Sequence, residues 1–178
     1  MKAVIIGCGR VGATIAATLD AAGHDVVILD LKQAAFDRLP GSFKGSAVRG
    51  DGTDEDVLRR AGAEGADILL AMTEGDNRNV MATQMAVEEL SVRKVVAKIN
   101  DPVRAVAYAD LGIPAVCRTS LQADAVLGYL GFAASGMPAV LAPAAGHDEP
   151  VTPGVDEASR AGAAGVQTAT RPGPGQEG

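Results

Sequence analysis

Three closely spaced glycines near the amino terminus, in the sequence GCGRVG, form the clearest candidate ligand-binding motif. Gly7, Gly9 and Gly12 follow an apolar run at residues 2–6 and open a segment rich in small helix-forming residues. In such a motif the first glycine permits a tight turn, the second lets a phosphate approach the backbone, and the third lets the helix pack on the strand. The amino end of the helix presents free N–H groups to an anion. The motif therefore predicts a nucleotide site.

An acidic residue at the end of the next apolar run, Asp30, completes this pattern. It follows the glycines by about 20 residues, the spacing at which a carboxylate accepts hydrogen bonds from a ribose. Its charge disfavours NADP, because it repels a 2′-phosphate. NAD, ATP, ADP and AMP all remain open, because each carries a free 2′-hydroxyl. Arg10 lies inside the glycine turn, where it either reaches the phosphate chain or is a solvated residue at the helix start.

The elements that must hold these residues follow in a regular alternation of short apolar runs and helix-like segments. After the first strand, further strands are predicted at residues 26–29, 46–49, 67–72, 95–99 and 113–117, with helices at 10–22, 76–90, 103–111 and 121–132. Because strands and helices alternate through short connections, the sequence predicts a doubly wound α/β Rossmann fold with a parallel sheet.

Several polar residues stand where predicted strands end. Thr73 follows the fourth strand and is expected beside the glycine turn, whereas Asp51 is either a ligand contact or only a turn residue. We expect Asp76 and Asn77 to cap the helix that they begin. The sequence NDP at residues 100–102 indicates another helix start, with proline in its first turn. Met72, Met81 and Met85 are expected in the core.

Several motifs together resemble a known family. GCGRVG, GDGTD, MTEGDNRN, AKINDP and LGIPAV occur in an order and at a spacing similar to the TrkA-N, or RCK amino-terminal, domain of regulatory subunits of bacterial potassium uptake systems. The resemblance covers residues 1–133. It implies a Rossmann domain that binds NAD(H) or ATP/ADP and passes its ligand state to a membrane potassium transporter.

The resemblance also implies roles for particular residues. Lys98 matches a position where the family commonly has arginine; lysine keeps the charge but lacks the bidentate fork of a guanidinium. The other implied positions are Gly7, Gly9, Arg10, Val11 and Gly12 at the phosphates, Asp30 at the ribose, Asp51 and Gly52 beside the adenine, and Thr73 near the glycine turn.

Composition limits the location and the partners. The chain of 178 residues has a formal net charge of −6, which argues against non-specific binding to nucleic acid or to an anionic membrane. No apolar stretch approaches the ~20 residues of a membrane span, and no signal peptide is recognisable. Cys8 and Cys117 are expected to be reduced core thiols. We therefore expect a cytoplasmic protein that reaches the inner face of the membrane through a transporter partner.

The main alternative function is an NAD-dependent oxidoreductase. Such an enzyme needs a group that gives or takes a proton, usually from a substrate-binding region. Neither His24 nor His147 is expected near the strand ends, and Tyr108 and Tyr129 fit no catalytic pattern. We expect no substrate domain after the Rossmann unit. The sequence therefore favours a sensor with no catalytic residue and no metal site over an enzyme. A third possibility is a dimerisation module that binds no nucleotide tightly.

The end of the chain differs in composition. Residues 134–178 are rich in alanine, glycine and proline, and they predict a low-complexity, mostly disordered tail. The predicted helix before them, LQADAVLGYLGF, is strongly apolar and needs a surface to cover it. It packs either on its own domain or on a second copy. In the second case we expect a homodimer or a larger ring, with or without a second regulatory subunit.

Overall fold

Six short apolar segments form one parallel sheet in the computed structural model, which describes residues 1–137. The strands are β1 (Lys2–Ile6), β2 (Asp25–Asp30), β3 (Ser46–Arg49), β4 (Ile68–Ala71), β5 (Lys94–Ile99) and β6 (Ala115–Cys117). The helices between and after them are α1 (Arg10–Ala21), α2 (Glu55–Arg60), α3 (Asp76–Glu88), α4 (Pro102–Asp110) and α5 (Arg118–Tyr129). The predicted elements are all present, with boundaries that differ by a few residues.

The order of the strands across the sheet is β3-β2-β1-β4-β5-β6. The chain starts in the middle, builds outward through β2 and β3, and then returns to add β4, β5 and β6 on the other side. This is the doubly wound order of the Rossmann fold, so the predicted fold class is confirmed. β1 lies between β2 and β4, and its last residue, Ile6, is paired with Leu29 and with Ala71. The carboxyl ends of these three strands therefore meet at one edge.

The alternation of side chains along β1 divides the core between the two faces of the sheet. Val4 and Ile6 point to the face that α2 and α3 cover, in a cluster with Leu58 of α2. Ile5 and Ala16 belong to the cluster beneath α1 on the opposite face. A strand with apolar residues on both faces is typical of a central position in a parallel sheet. β1 is thereby fixed firmly beneath the glycine turn.

Two local features differ from the sequence-based expectations. A 3₁₀ helix at Gln33–Arg38 follows β2, where the sequence indicated no element. Met81, which was expected in the core, lies on the outer face of α3 with 51% of its surface exposed, whereas Met72 is buried and Met85 packs against the core. Helical spacing explains the difference, because position 81 falls between the buried positions 80 and 82 of the same helix.

The predicted domain boundary between residues 133 and 134 stays a prediction, because residues 138–178 lie outside the described residues. His147 is one of these residues. Within residues 1–137, none of the helices combines the length and the apolar character that crossing a membrane would need.

Candidate functional site

A cleft of about 400 Å³ opens at the carboxyl ends of β1, β2 and β4. Its walls are the glycine turn after β1, the end of β2, the loop after β3 and the loop after β4. In doubly wound sheets, the crevice where the strand order reverses is where ligands bind, and here that reversal falls between β1 and β4. The cleft therefore occupies the position at which this fold holds a nucleotide.

The three glycines of the turn differ in what surrounds them. Gly7 has a φ of +101°, and a Cβ there would lie 3.0 Å from the backbone of Met72 and Thr73. A Cβ on Gly12 would lie 2.0 Å from the carbonyl oxygen of Gly7, so only glycine lets α1 start this close to the strand. A Cβ on Gly9 would meet nothing within 4 Å. Gly7 and Gly12 are thus required by packing, whereas Gly9 faces open space in the wall of the cleft.

The amino end of α1 faces the same space. Gly9 is its N-cap and provides no side-chain oxygen to accept hydrogen bonds from the first turn. The first N–H groups of the helix and its partial positive charge are therefore directed at the cleft without a protein anion to satisfy them. Arg10 lines the cleft, whereas Val11 lies on the outer side of the helix with 45% of its surface exposed.

Asp30 is half-buried at the end of β2, and both of its carboxylate oxygens are hydrogen-bonded. One accepts the N–H of Cys8 at 2.8 Å and the other accepts the N–H of Lys32 at 2.9 Å. The first bond ties Asp30 to the glycine turn across the cleft. Because a carboxylate oxygen can accept more than one hydrogen bond, Asp30 retains capacity for a ligand hydroxyl. Asp30 lines the cleft, as the sequence predicts.

The loop after β3 contributes Asp51 and Gly52 to the cleft. Asp51 accepts the N–H and the hydroxyl of Thr53 at 2.9 and 2.8 Å, so it forms the predicted turn as well as lining the cavity. These bonds, and to a lesser degree the charge of Arg78, lower the pKa of Asp51 below its ordinary value. Gly52 is buried, and a Cβ there would lie 2.2 Å from the side chain of Ile6. Its glycine identity is explained by packing on β1.

A buried asparagine that sequence reasoning missed holds the loop after β4. Asn79 is fully buried in α3 and accepts both the N–H and the hydroxyl of Thr73, at 3.0 and 2.6 Å. Its amide donates to the carbonyls of Thr73 and Lys98, at 3.1 and 2.7 Å. One side chain thus fixes Thr73, which lines the cleft, and joins it to β5. The signal available in the sequence was an asparagine inside a helix, where its propensity is poor.

Lys98 does not line the cleft. It is buried in β5, with its side chain 5% exposed, and its ammonium nitrogen lies 3.2 Å from a carboxylate oxygen of Glu74. Glu74 itself lines the cleft and is 81% exposed. The ammonium group of Lys98, which was predicted to bind the ligand, is therefore paired with the carboxylate of Glu74 at the rim of the cleft. The structure does not bring Lys98 together with the glycine turn.

Cys8, between the first two glycines, lines the floor of the cleft and is fully buried. Burial and the nearby Asp30 carboxylate raise the pKa of its thiol, and the charge of Arg38 opposes this only in part. The thiol is therefore neutral at physiological pH and is a poor nucleophile. Cys117 is buried as well, and both cysteines are unpaired core thiols, as expected.

The charges around the cleft include cations that the sequence analysis did not single out. Arg38 comes from the unpredicted 3₁₀ helix, and Arg78 comes from the first turn of α3. No spacing in the sequence indicated that either would line the cleft. Together, the charged residues that line the cleft are Arg10, Lys32, Arg38 and Arg78 against Asp30, Asp51 and Glu74. This balance is slightly cationic in a chain whose net charge is −6.

A second, more open cavity of about 630 Å³ lies next to the cleft, between the first turns of α3 and α4. The expectation that Asp76 and Asn77 cap α3 is wrong, because the N-cap is Gly75 and it has no side-chain cap. Asp76 instead accepts hydrogen bonds from the backbone and side chain of Asn100, at 2.9 and 2.8 Å. It thereby joins α3 to the loop after β5.

The start of α4 follows the sequence-based prediction. Asp101 is its N-cap and accepts the N–H groups of Val103 and Arg104, with Pro102 as the first helical residue. A proline tolerates this position because its missing N–H would have no partner within the helix. The NDP sequence is therefore structural.

The residues considered for proton transfer lie away from the cleft. His24 lies in the turn before β2, at the opposite edge of the sheet. Tyr108 lies on α4, where its hydroxyl accepts a hydrogen bond from Arg104 at 3.1 Å. Among the described residues that line the cleft, there is no histidine and no tyrosine.

The apolar helix α5 is scarcely covered. Its only buried residue is Ser120, although the helix carries several large apolar side chains. Val126 is 58% exposed, and just beyond the helix Leu130 and Phe132 are 59% and 66% exposed. Packing of this apolar face on its own domain is therefore not seen within residues 1–137.

The strand order, the glycine turn and the strand-terminal carboxylate define the class: a domain with the Rossmann nucleotide-binding fold. The family model described as TrkA-N domain matches residues 3–119. The chain belongs to the TrkA-N domain family.

A relative and two solved structures illustrate the likeness. The Trk system potassium uptake protein TrkA of Streptomyces coelicolor is 45% identical over 127 residues, which are 71% of this chain and 57% of that protein. The structure of GsuK bound to ADP has a TM-score of 0.60 and 28% identity, over 72% of this chain and 33% of GsuK. The TrkA-N domain of the inner membrane protein ybaL from Escherichia coli has a TM-score of 0.64 and 20% identity, over 72% of this chain and 96% of that domain, and shows the fold alone.

The chain therefore spans little more than half the length of the Streptomyces relative.

Proposed function

We propose that this protein is a nucleotide-sensing regulatory subunit of a potassium uptake transporter or channel. In this proposal it binds NAD(H) or ATP/ADP in the cleft at the end of β1 and conveys the ligand state to a membrane partner. The observation that carries the proposal is the convergence of Gly9, the free amino end of α1 and the Asp30 carboxylate on one cavity. Backbone N–H groups at a helix start suit a phosphate, and a carboxylate one strand away suits a ribose.

The proposed ligand contacts follow from this arrangement. The glycine turn, with the backbone of Val11 and Gly12 and the side chain of Arg10, would hold the phosphates, and Asp30 would hold the ribose hydroxyls. Asp51 would lie beside the adenine, and Thr73 would close the side next to β4. Lys98 would act only indirectly, because its ammonium pairs with Glu74.

The relatives support both halves of the proposal. The Streptomyces protein is named a potassium uptake protein, which supports a role in potassium transport. GsuK, at 28% identity, was solved with ADP bound, which supports an adenine nucleotide as the ligand.

Sensing is favoured over catalysis because the described wall of the cleft contains no histidine or tyrosine, and the raised pKa of Cys8 keeps that thiol neutral. The carboxylates in the wall, Asp30, Asp51 and Glu74, already have protein partners. An NAD-dependent oxidoreductase needs a proton-transfer group beside the nicotinamide. A dimerisation module would not need a cleft with an uncapped helix start and an aligned carboxylate.

We also propose that the protein self-associates and acts in the cytoplasm, at the inner face of the membrane, through its transporter partner. The exposed apolar face of α5 supports the self-association. A nucleotide could then change the angle between paired domains, provided that two ligand states favour two arrangements with different affinity. In this proposal residues 1–133 form the nucleotide domain, and residues 134–178 are a separate tail.

Asp30 provides the sharpest test of the ligand site. Asp30→Ala should weaken binding of NADH or ATP by about 1.5–3 kcal/mol, the value of a hydrogen bond to a charged group. It should also reduce the preference for NADH over NADPH, because the charge that repels a 2′-phosphate is gone. Isothermal titration measures both, and Asp25→Ala, at the exposed opposite end of β2, is the matched control.

Unchanged nucleotide affinity in Asp30→Ala would refute the assignment of this carboxylate. Equal affinity of the wild-type protein for NADPH and NADH would count against it as well, since Asp30 should make NADPH the weakest ligand.

The transporter assignment needs a test in cells. Deletion of the gene should impair growth at limiting external potassium in a strain without a redundant uptake system. Normal potassium uptake in that strain would show that the transport role is wrong even if the nucleotide site is right.

A further inference from the structure

Arg78 occupies a position that the proposed nucleotide site leaves without a function. It lies in the first turn of α3, is exposed, and lines both the cleft and the neighbouring cavity. Within residues 1–137 its guanidinium forms no ion pair and no hydrogen bond that satisfies ordinary distance criteria. Its guanidinium therefore lies where the two cavities meet and has no protein partner among the described residues.

The other cations of the cleft are distributed differently. Lys32 and Arg38 follow β2, on the same side as Asp30, and Arg38 donates to the carbonyl of Ala35 at 3.3 Å. Arg10 belongs to the glycine turn itself. Among the described residues that line the cleft, Arg78 is the only cation contributed by the β4 side.

The order of the strands gives the phosphate chain a direction. β1 has β2 on one side and β4 on the other, so a ribose bound to Asp30 fixes the adenosine on the β2 side. The first phosphate would then lie over the glycine turn, and further phosphates would extend away from Asp30 toward β4. Glu74, the carboxylate on that side, already pairs with Lys98 at 3.2 Å, which offsets its repulsion of an anion. Of the cations that line the described part of the cleft, the one on that side is Arg78.

We propose that Arg78 binds the phosphate groups beyond the first, so that the cleft selects adenine nucleotides with a diphosphate or longer chain over AMP. This inference rests on the proposed nucleotide function. A guanidinium suits the task because its planar donors match phosphate oxygens in pairs. A dinucleotide presents its second phosphate at the same place as ADP, so the selected class includes ADP, ATP and NAD(H).

Arg78 also lies close enough to Asp51 for its charge to affect that carboxylate. If its role were only to steady the loop after β3, its loss would weaken every nucleotide alike, because Asp51 stands beside the proposed adenine position. A larger loss of affinity for ADP than for AMP would therefore distinguish phosphate binding from a role in steadying the loop.

The test is isothermal titration of the full-length protein with ADP and with AMP. Arg78→Gln should lower the affinity for ADP by about tenfold and that for AMP by less than about twofold, because only ADP reaches the guanidinium. Arg78→Lys should retain part of the preference. The control is Arg60→Gln, an exposed arginine at the far end of α2, and all variants should share the wild-type melting temperature.

Equal losses for ADP and AMP in Arg78→Gln, or no loss for either, would overturn the role of Arg78 while leaving the nucleotide site intact. Failure of the wild-type protein to bind either nucleotide would instead refute the proposed function, and this inference with it.

Discussion

Gly9 is a single residue whose identity as glycine is not required by the fold but would be required by a bound phosphate. Its φ of −77° is ordinary for any residue, and a Cβ there would touch nothing in the protein. Folding therefore does not explain why this position is glycine. A phosphate lying against the backbone does explain it, because a methyl group would occupy the same space.

We predict that Gly9→Ala leaves the free energy of unfolding within about 0.5 kcal/mol of the wild type, since it adds no clash and slightly restricts the unfolded chain. The same change should lower nucleotide affinity by at least about tenfold, because the methyl group obstructs the phosphate. Chemical denaturation and isothermal titration measure the two effects. A variant that binds as tightly as the wild type would show that no ligand approaches this backbone.

The start of helix α1 depends on close contact between the first turn of the helix and the glycine turn that precedes it. Gly12 lies in the first turn of α1, and a Cβ there would lie 2.0 Å from the carbonyl oxygen of Gly7. That oxygen belongs to the backbone and cannot rotate away. The helix must therefore shift if position 12 carries any side chain, and the turn between β1 and α1 must open.

Gly12→Ala should accordingly lower the free energy of unfolding by about 1–3 kcal/mol, as overpacking in a tight site does. Gly9→Ala, three residues away on the same turn, is the control that adds the same methyl group without a clash. Thermal and urea denaturation of the two variants provide the comparison. Equal stability of both would contradict the packing account of the turn.

The sequence predicts the strands, α1 and the glycine turn, but it does not predict which side chains the loops bring together around the cleft. The strands, α1 and the Gly7–Asp30 pattern follow from short apolar runs, glycine spacing and small helix-forming residues, which are visible along the chain. The roles of Asn79 and Arg78 depend on which loops the sheet brings together, and neither has a local signal. Asp76 illustrates the same limit, because its partner, Asn100, is 24 residues away.

The end of α5 and the residues just after it carry an apolar surface that the described part of the chain, residues 1–137, leaves uncovered. The face formed by Val126, Leu130 and Phe132 stays largely exposed at the end of the sheet. Exposed apolar side chains grouped in this way are typical of an interaction site. In the proposed self-association, this face is the region through which two copies meet.

The protein should therefore form dimers or larger assemblies at tens of micromolar, as measured by light scattering. Leu130→Glu should shift the population toward the monomer, because a charge would be buried at the interface. Gln122→Glu, an exposed polar position on the same helix, is the control and should leave assembly unchanged. A strictly monomeric wild-type protein, with and without nucleotide, would rule out self-assembly.

Isothermal titration of the purified wild-type protein with NADH, NAD, ATP, ADP and NADPH would establish whether the cleft is a nucleotide site. We expect saturable binding of at least one adenine nucleotide with a free 2′-hydroxyl, and weaker binding of NADPH than of NADH, because Asp30 repels the 2′-phosphate. The absence of binding by all five nucleotides, or binding of NADPH as tight as that of NADH, would contradict this expectation.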